Sequence, residues 1–355
     1  MKIDRHVVVG KTVFVGIDVH KNKYSVAAVV DGEVFFKIGS MPADPVKLIE
    51  FLKKKCHESK IKTVYEAGFS GFVLHRVLMA SGIENIVINA ASIEVAANNK
   101  VKTDKRDAIK MALHLSRGML RGIHVPTPEQ ELARLITRTR AQLVKERSRV
   151  GVQIKSKLMQ FGFIAADDTR TMSAKLLAEF KELELPQELE TTILALAELW
   201  TTCHEQIKQM NRGIDRQAKR DTKLTTVYQS APGIGPIIGQ TLANELGDMS
   251  QFKNEKDLYC FVGLTPSEHS SGEGSPRRGH ITKQGSGLIR GMLVEAAWAA
   301  MSKDPDLKKV YDRLKITRGG KRAIVAVARR LIGRLRACAL QQKPYELGYN
   351  TRSAA

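Results

Sequence analysis

The sequence is poor in cysteine and has no long apolar run, and each shortage excludes a class of protein. Its four cysteines are far apart and form no Cys-x-x-Cys pair, which excludes a disulfide framework and a paired-cysteine zinc site. No apolar run approaches the roughly 20 residues that span a bilayer, and the first residues lack the apolar stretch of a signal peptide. We therefore expect a cytoplasmic protein with reduced thiols and without a transmembrane helix.

Acidic residues are also scarce relative to basic ones. The chain has 57 Lys and Arg against 37 Asp and Glu, which gives a net charge of +20. So large a charge repels itself, and a polyanionic partner is its commonest explanation. Nucleic acid is the favoured partner, and an acidic membrane surface is the alternative. At 355 residues the chain has room for two or three domains.

Four of the acids, Asp18, Glu66, Asp104 and Asp107, stand where a metal-dependent nuclease site would need them. Asp18 lies in the apolar run 12–18, which predicts a buried strand, and a carboxylate there costs several kcal/mol unless something neutralises it. Glu66 ends a second run, just before a Gly-rich break. Asp104 and Asp107 are three residues apart, so a helix puts both carboxylates on one face.

A pair of Mg²⁺ ions, or Mn²⁺ in their place, would relieve the repulsion between four converging carboxylates. Such a pair, about 4 Å apart, clamps the attacking and leaving oxygens of a phosphodiester. The alternative is a set of unrelated surface acids, which would leave the position of Asp18 in an apolar strand hard to explain. We therefore predict a two-metal site formed by all four acids.

Residues 1–122 predict alternating strands and helices that end in a helix with two of the acids. The predicted strands cover 12–18, 24–30, 33–38, the run to Glu66 and 85–89. One predicted helix starts at Asp44-Pro45, with Asp44 as its N-cap and proline at its first position, and two more cover 72–80 and 104–115. Asp31-Gly32 predicts a two-residue hairpin turn. The order βββαβαβα, with acids on the first strand, the fourth strand and the last helix, resembles the layout of an RNase H/RuvC-like domain.

Residues 123–222 predict a basic helical region. A capping box at 127–130, with proline at the first helical position, opens a helix with an apolar stripe from Leu132 to Leu158. Its polar faces are mainly basic, and we predict that Arg138, Lys145 and Arg149 contact nucleic-acid backbones. A second helix has a coiled-coil-like seam over residues 193–214, which predicts packing against another helix, either in the same chain or in a second subunit.

Residues 223–345 predict a mostly α-helical domain, and residues 346–355 a tail. The turn Ala231-Pro-Gly-Ile-Gly235 resembles a helix-hairpin-helix turn, in which Gly233 and Gly235 would let backbone N–H groups approach a phosphate. An ordinary tight helix connection would use the same residues. The last helix is basic, and we predict that its arginines bind nucleic acid: Arg322, Arg329, Arg330, Arg334 and Arg336.

A segment rich in Gly, Ser and basic residues, 263–290, interrupts this domain. It places Ser270 and Ser271 close in sequence to four cations, Arg277, Arg278, Lys283 and Arg290. A serine hydroxyl among cations suits attack on a phosphate, because the cations stabilise the charge of the transition state. Loop serines without any function are the alternative.

Motifs in a fixed order give the sequence a resemblance over nearly its whole length. They are Gly-Ile-Asp18-x-x-Lys21, Glu66-Ala, Lys102-Thr-Asp104-x-x-Asp107-Ala, Pro-Gly-Ile-Gly, and Gly-Leu-Thr-Pro followed by Ser271-Gly, Lys283 and Arg290. This order resembles the DEDD insertion-sequence transposases, whose RuvC-like half precedes a half with a nucleophilic serine. One departure is the run Gly68–Gly71, where the family usually has Thr-Gly after Glu-Ala.

The resemblance implies a recombinase that cuts and exchanges DNA strands through a transient 5′-phosphoserine link. The acidic tetrad falls on Asp18, Glu66, Asp104 and Asp107, and the serine that precedes a glycine is Ser271. Lys21 and Lys102 lie in the family's motifs as nucleic-acid contacts. A structured bridge RNA would pair with donor and target DNA, and a homodimer or homotetramer would complete the acidic site of one subunit with the serine of another. Such a protein acts at the nucleoid and needs no membrane.

Two other functions remain open from the sequence. A RuvC-type endonuclease or junction resolvase would use the four acids and water, and would leave Ser271 idle. A non-catalytic nucleic-acid-binding protein would need none of the acids, so their presence argues against it.

Overall fold

The computed structural model describes residues 8–89, 104–220, 222–269 and 277–348, with side chains at all of these except 104, 105, 268, 269, 277 and 278. The chain divides into two compact units, residues 1–125 and 126–355. The predicted boundary near residue 222 lies within the second unit and stays a prediction.

The first unit is a mixed α/β domain. Its elements are β1 (Thr12–Val19), β2 (Lys23–Val30), β3 (Glu33–Pro42), α1 (Pro45–Lys55), β4 (Lys60–Glu66), α2 (Val73–Ala80), β5 (Glu84–Ile88) and α3 (Asp104–Ser116). The predicted order βββαβαβα is confirmed over the described residues. The turn residues Asp31 and Gly32 have φ angles of 52° and 85°, the left-handed conformation that a two-residue hairpin needs.

Within the described residues, five strands form one sheet in the order β3-β2-β1-β4-β5. The pairs β1–β2 and β2–β3 are antiparallel, whereas β1–β4 and β4–β5 are parallel. In the parallel part Ile17 lies opposite Tyr65, and Glu66 lies opposite Ile88. The carboxyl ends of β1, β4 and β5 therefore meet at one edge of the sheet.

The two faces of the sheet are covered by different helices. Val15 and Ile17 of β1 are fully buried in a core with Leu48 of α1 and Leu78 of α2. On the opposite face Met111 of α3 packs with Val64 and Ile88. Since alternate residues of a strand point to opposite faces, Gly16 and Asp18 share the face that α3 covers.

The second unit is mainly helical. Its elements are α4 (Pro128–Gln160), α5 (Ala174–Lys181), α6 (Gln187–Arg220), α7 (Thr222–Gln229), α8 (Pro236–Leu246), α9 (Glu255–Val262), β6 (Pro266–His269), β7 (Arg277–Ile281), α10 (Gly287–Lys303), α11 (Pro305–Arg318) and α12 (Gly320–Gln341). The capping box at Thr127 is present, with the side chain of Thr127 accepting from the backbone of Gln130. In the described ranges, no helix is long and apolar enough to cross a membrane.

The long helices α4 and α6 pack against each other within the chain. Ile154 and Leu158 of α4 are fully buried in one cluster with Ile193 and Trp200 of α6. Intrachain packing therefore accounts for this part of the predicted seam. Leu132, predicted as part of the apolar stripe, is instead 67% exposed.

The segment between α9 and α10 contains a β-hairpin that the sequence pattern did not predict. Strands β6 and β7 pair antiparallel, with His269 opposite Arg277. The connection 270–276, which includes Ser270 and Ser271, lies outside the described residues.

Candidate active site

Asp18 and Glu66 lie at the same edge and on the same face of the sheet. Asp18 follows Ile17, and Glu66 follows Tyr65, at the carboxyl ends of two paired parallel strands. Gly16 and Val64, each two residues earlier, are also paired and face α3. The register of β1 and β4 therefore aligns these two carboxylates.

Gly16 lets α3 lie directly on β1. A Cβ atom at this position would overlap the carbonyl oxygen of Ala108 and lie 2.8 Å from the amide nitrogen of Ala112. Both alanines are fully buried. Any residue larger than glycine would hold the helix away from the strand that carries Asp18.

The register of α3 extends this contact to the other two acids. Asp104, the first residue of α3, occupies the position one turn before Ala108, which packs at Gly16. Asp107 is one turn before Met111, which packs with Val64 of β4. Both acids of α3 thus lie one turn before residues that pack on the face of the sheet that Asp18 and Glu66 share.

The side chain of His20 contacts the Asp18 carboxylate, and the sequence patterns did not single it out. The Nε2 atom of His20 donates to Oδ2 of Asp18 at 3.1 Å, and the two side chains are 38% and 22% exposed. The backbone amide of His20 donates to the carbonyl of Lys23, which closes the turn from β1 to β2. The spacing Asp-x-His at a strand end is the one signal that could have predicted this contact.

The donor set can be compared with the needs of a metal ion. Asp18, Glu66 and Asp107 are all partly buried, and their carboxylates offer the hard oxygen ligands that Mg²⁺ prefers. Among the side chains described, which do not include that of Asp104, no three His, Cys, Asp or Glu lie close enough to hold a metal ion. The carboxylate oxygens of these residues fit a divalent cation by their chemistry.

The loop after Glu66 is tied to the sheet at both ends. The amide of Ala67 donates to the carbonyl of Ile88 at 2.8 Å, and the hydroxyl of the buried Tyr65 donates to the carbonyl of Gly71 at 3.1 Å. Within the loop the amide of Gly71 donates to the carbonyl of Gly68 at 3.2 Å, which closes a turn. The departure from the family's Thr-Gly therefore leaves Glu66 at the end of an ordered strand.

The cations predicted to surround the serine lie on and after the β6–β7 hairpin. Arg277 and Arg278 begin β7. Lys283 is exposed and has a φ of 57°, and Arg290 of α10 donates to its carbonyl at 3.3 Å. A Cβ atom on Gly263 would overlap the Arg290 guanidinium, so this glycine leaves room for the arginine.

Two family models match the chain. The model of the DEDD transposases of IS110 elements, described as "Transposase", matches residues 15–163, and the model described as "Transposase IS116/IS110/IS902 family" matches residues 226–312. The first match covers all four acids, and the second covers the hairpin with its cations. The chain belongs to this family of DEDD transposases.

Transposases of several bacteria are similar to the chain over most of its length. The transposase for insertion sequence element IS1111A of Coxiella burnetii is 25% identical over 94% of this chain and 91% of its own. A Sinorhizobium fredii protein, y4qE, which is also named as a transposase, is 28% identical over 80% of this chain and 71% of its own. The transposase for insertion sequence element IS1533 of Leptospira borgpetersenii is 25% identical over 81% of this chain and 85% of its own.

Family membership makes the chain an insertion-sequence transposase, an enzyme that cuts and rejoins DNA. A DEDD domain also implies dependence on a divalent metal ion.

The positions expected to bind nucleic acid differ in their surroundings. Lys21 is exposed in the turn after β1, and Lys102 lies outside the described residues.

The three cations chosen on α4 of the transposase have different neighbours. Arg138 forms a two-bond ion pair with Glu245 of α8, at 2.6 and 2.8 Å, and Glu245 is only 3% exposed. Hydrogen bonding to this carboxylate raises the pKa of Arg138. Arg149 pairs with the nearby Glu146, whereas Lys145 is exposed. Arg138 thus has a structural partner that periodicity could not reveal.

The two glycines of the helix-hairpin-helix-like turn also differ. Gly233 has a φ of 82°, and a Cβ atom there would overlap the carbonyl oxygen of Ala296 on α10. Packing and backbone conformation therefore explain this glycine without a ligand. Gly235 has open space around it and caps the start of α8 without a side-chain hydrogen bond.

The arginines of α12 are largely engaged within the protein. Arg334 is 2% exposed and donates to Asp304 at 2.7 Å, so the prediction that it binds nucleic acid is wrong. Arg336 donates to the carbonyl of Phe252, and Arg329 lies 4.3 Å from the centre of the Tyr259 ring. Of this set Arg322 is exposed, whereas Arg329, Arg330 and Arg336 are partly buried.

Proposed function

We propose that this transposase cuts DNA at a two-metal site formed by Asp18, Glu66, Asp104 and Asp107, with Ser271 as the nucleophile. When bound, Mg²⁺ stabilises the charge that develops on the oxygens of the scissile phosphodiester. The Ser271 oxygen attacks phosphorus, the bond to the 3′ oxygen breaks, and the serine proton ends on that oxygen. A 5′-phosphoserine link and a free 3′-hydroxyl result, and the reverse reaction with another strand's 3′-hydroxyl rejoins the DNA.

The contact between Gly16 and α3 is the observation that supports this proposal most. It sets α3, the helix that begins at Asp104, directly on the sheet face that Asp18 and Glu66 share. Four acids in one region repel one another, and two divalent cations are the usual way to stabilise them next to a phosphate.

The proposal includes a structured RNA as a partner. A bridge RNA would pair with donor and target DNA, while the protein holds the nucleic-acid backbones through charge and shape. The net charge of +20 supports a partnership with polyanions. The catalytic assembly would be a homodimer or a homotetramer.

Two substitutions, Asp18→Asn and Asp107→Asn, test the metal site. We expect each to reduce Mg²⁺-dependent strand cleavage about 100-fold or more, since several kcal/mol of transition-state stabilisation is lost. Nucleic-acid affinity should change little, because Lys and Arg make the backbone contacts. Cleavage is measured on the element's DNA with the RNA that co-purifies with the protein.

Asp31→Asn is the matched control. Asp31 lies in the β2–β3 turn, at the other end of the strands, and its partner is the exposed Lys11. This variant should cleave like the unmodified protein. Cleavage at the normal rate by Asp18→Asn in Mg²⁺ would overturn the assignment of the four acids.

A further inference from the structure

Phe69 is an exposed aromatic residue beside the acidic centre. Its side chain is 73% exposed, although the core of the same unit buries many smaller apolar side chains. It stands at the second position of the turn 68–71, where proline is more usual than an aromatic residue. Neither turn formation nor core packing accounts for a phenylalanine there.

The turn holds Phe69 in a fixed place at the catalytic edge of the sheet. Hydrogen bonds from Ala67 to Ile88 and from Tyr65 to Gly71 fasten the loop to β5 and β4. The ring is therefore presented on an ordered turn, so little conformational entropy would be lost on binding.

Distance limits what Phe69 can reach. It follows Glu66 by three residues, which span about 10 Å at most. A phosphate at Glu66 would bring the neighbouring bases within reach of the ring.

The charges at this edge favour a nucleic acid over an apolar partner. The exposed Lys21 lies in the β1–β2 turn, at the carboxyl end of β1, and that end is at the same edge as the end of β4. A nucleic acid has phosphates that such a lysine can bind and flat bases on which such a ring can stack. Base stacking on an aromatic ring is tolerant of sequence, because every base has a π face.

We propose that Phe69 stacks on an unpaired base next to the phosphate that is cleaved at the acidic centre, and so positions the strand for cleavage. This inference rests on the proposed function, because it needs the scissile phosphate at Glu66. The bound chemical group is a nucleobase of single-stranded DNA, and the contact adds to the backbone contacts of the lysines and arginines.

A double-mutant cycle, with one change in the protein and one in the DNA, tests the stacking directly. The full chain and its Phe69→Ala variant are each titrated with a thymidine oligonucleotide and with one of equal length whose sugars carry no bases. Charge is equal in the two oligonucleotides, and stacking elsewhere in the protein cancels in the comparison. The preference for the base-bearing strand should fall about 5- to 150-fold in Phe69→Ala.

Further variants make the result specific to the ring. Phe69→Trp should keep the preference, and its indole fluorescence should be quenched by the base-bearing strand. Val34→Ala removes a 40% exposed apolar side chain in β3 near the β2–β3 turn, away from the acids, and should behave like the unmodified chain. Thermal unfolding of Phe69→Ala should be unchanged, because the side chain is exposed.

Equal preferences in the unmodified chain and in Phe69→Ala would overturn the inference. If Phe69→Ala instead shifted the sedimentation of the protein to a smaller species with the preference unchanged, the ring would be a subunit contact and stacking would be wrong. Since the titrations are done in Mg²⁺ and measure binding alone, either result is separate from the cleavage assay of Asp18→Asn.

Discussion

At the residue scale, the surroundings of a basic side chain decide whether it can bind nucleic acid. Arg138, Lys145 and Arg149 belong to one basic helix, yet only Arg138 reaches a carboxylate that is almost completely buried. Its partner Glu245 is 107 residues away in sequence. Removing the arginine would leave a buried charge with less compensation, which costs more than losing a surface ion pair.

Arg138→Gln should therefore lower the free energy of unfolding by about 2 kcal/mol, less than for a fully buried pair because Arg138 is itself half-exposed. Chemical denaturation measures the loss. Arg149→Gln makes the same change on the same helix, and the side chain of its partner Glu146 is 41% exposed, so a much smaller loss is expected. Equal stability of both variants would contradict the structural role of Arg138.

Lys145 provides the complementary prediction. It is exposed, so Lys145→Gln should leave stability unchanged. If Lys145 contacts a phosphate, the slope of log affinity against log salt should become shallower by about 0.7 to 0.9. Titration of RNA and DNA at several salt concentrations measures the slope. An unchanged slope would make Lys145 a solvated surface residue.

At the element scale, the contact of β1 with α3 couples packing to catalysis. In Gly16→Ala the added methyl group meets the Ala108 carbonyl, so α3 must move away from the strand. We expect a loss of about 3 kcal/mol in stability. We also expect a loss of about 100-fold in cleavage, because a shift of about 1 Å misplaces the acids on the helix.

Gly68→Ala is the matched control for this variant. Gly68 lies two residues after Glu66, but a Cβ atom there would meet nothing closer than 4.0 Å. Its cleavage rate and stability should stay near those of the unmodified protein. Normal cleavage by Gly16→Ala would show that α3 does not need this close approach.

A polar network between β4, β5 and α2 predicts a pH dependence. Asn85 Nδ2 donates to Nδ1 of His75 at 2.8 Å, and the hydroxyl of Thr63 donates to Asn85 at 2.7 Å. Burial, and then the neighbouring Arg76, lowers the pKa of His75. The folded state thus favours the neutral ring. The contribution of His75 to the stability of the folded state is complete above the ordinary histidine pKa of about 6.5, and it is lost as the pH falls through the lowered pKa of the folded state.

The melting temperature of His75→Gln should therefore fall less between about pH 7.5 and about pH 5 than that of the unmodified chain. Thermal unfolding across this range measures the effect. His57→Gln changes a histidine whose side chain is 71% exposed, and it should keep the full pH dependence. Identical pH profiles for His75→Gln and the unmodified chain would contradict the role of the network.

The elements also show what the sequence could predict. The order βββαβαβα was predictable because apolar runs, Asp31-Gly32 and the Asp44 cap are local signals. The β6–β7 hairpin was not, because its short strands are polar and have no apolar alternation. The partners of Arg138 and Arg334 depend on tertiary contacts that no helical periodicity contains, and His20 joins the site through a turn.

At the scale of the whole molecule, the proposed chemistry is divided between the two units. The four acids belong to residues 1–125, and Ser271 belongs to residues 126–355. Such a division makes two kinds of inactive subunit available, each with one intact half of the chemistry. The role of Ser271 is open to a direct chemical test.

Ser271→Ala should lose the covalent protein–DNA adduct and recombination, because no hydroxyl remains to attack phosphorus. Ser270→Ala, the neighbouring control, should keep both. If a subunit's acids act with the serine of another, mixing Ser271→Ala with Asp18→Asn protein should restore part of the activity that neither has alone. Denaturing gels of trapped complexes measure the adduct. An adduct on Ser271→Ala protein would refute the choice of serine, and a failure of the mixture would place both groups in action within one subunit.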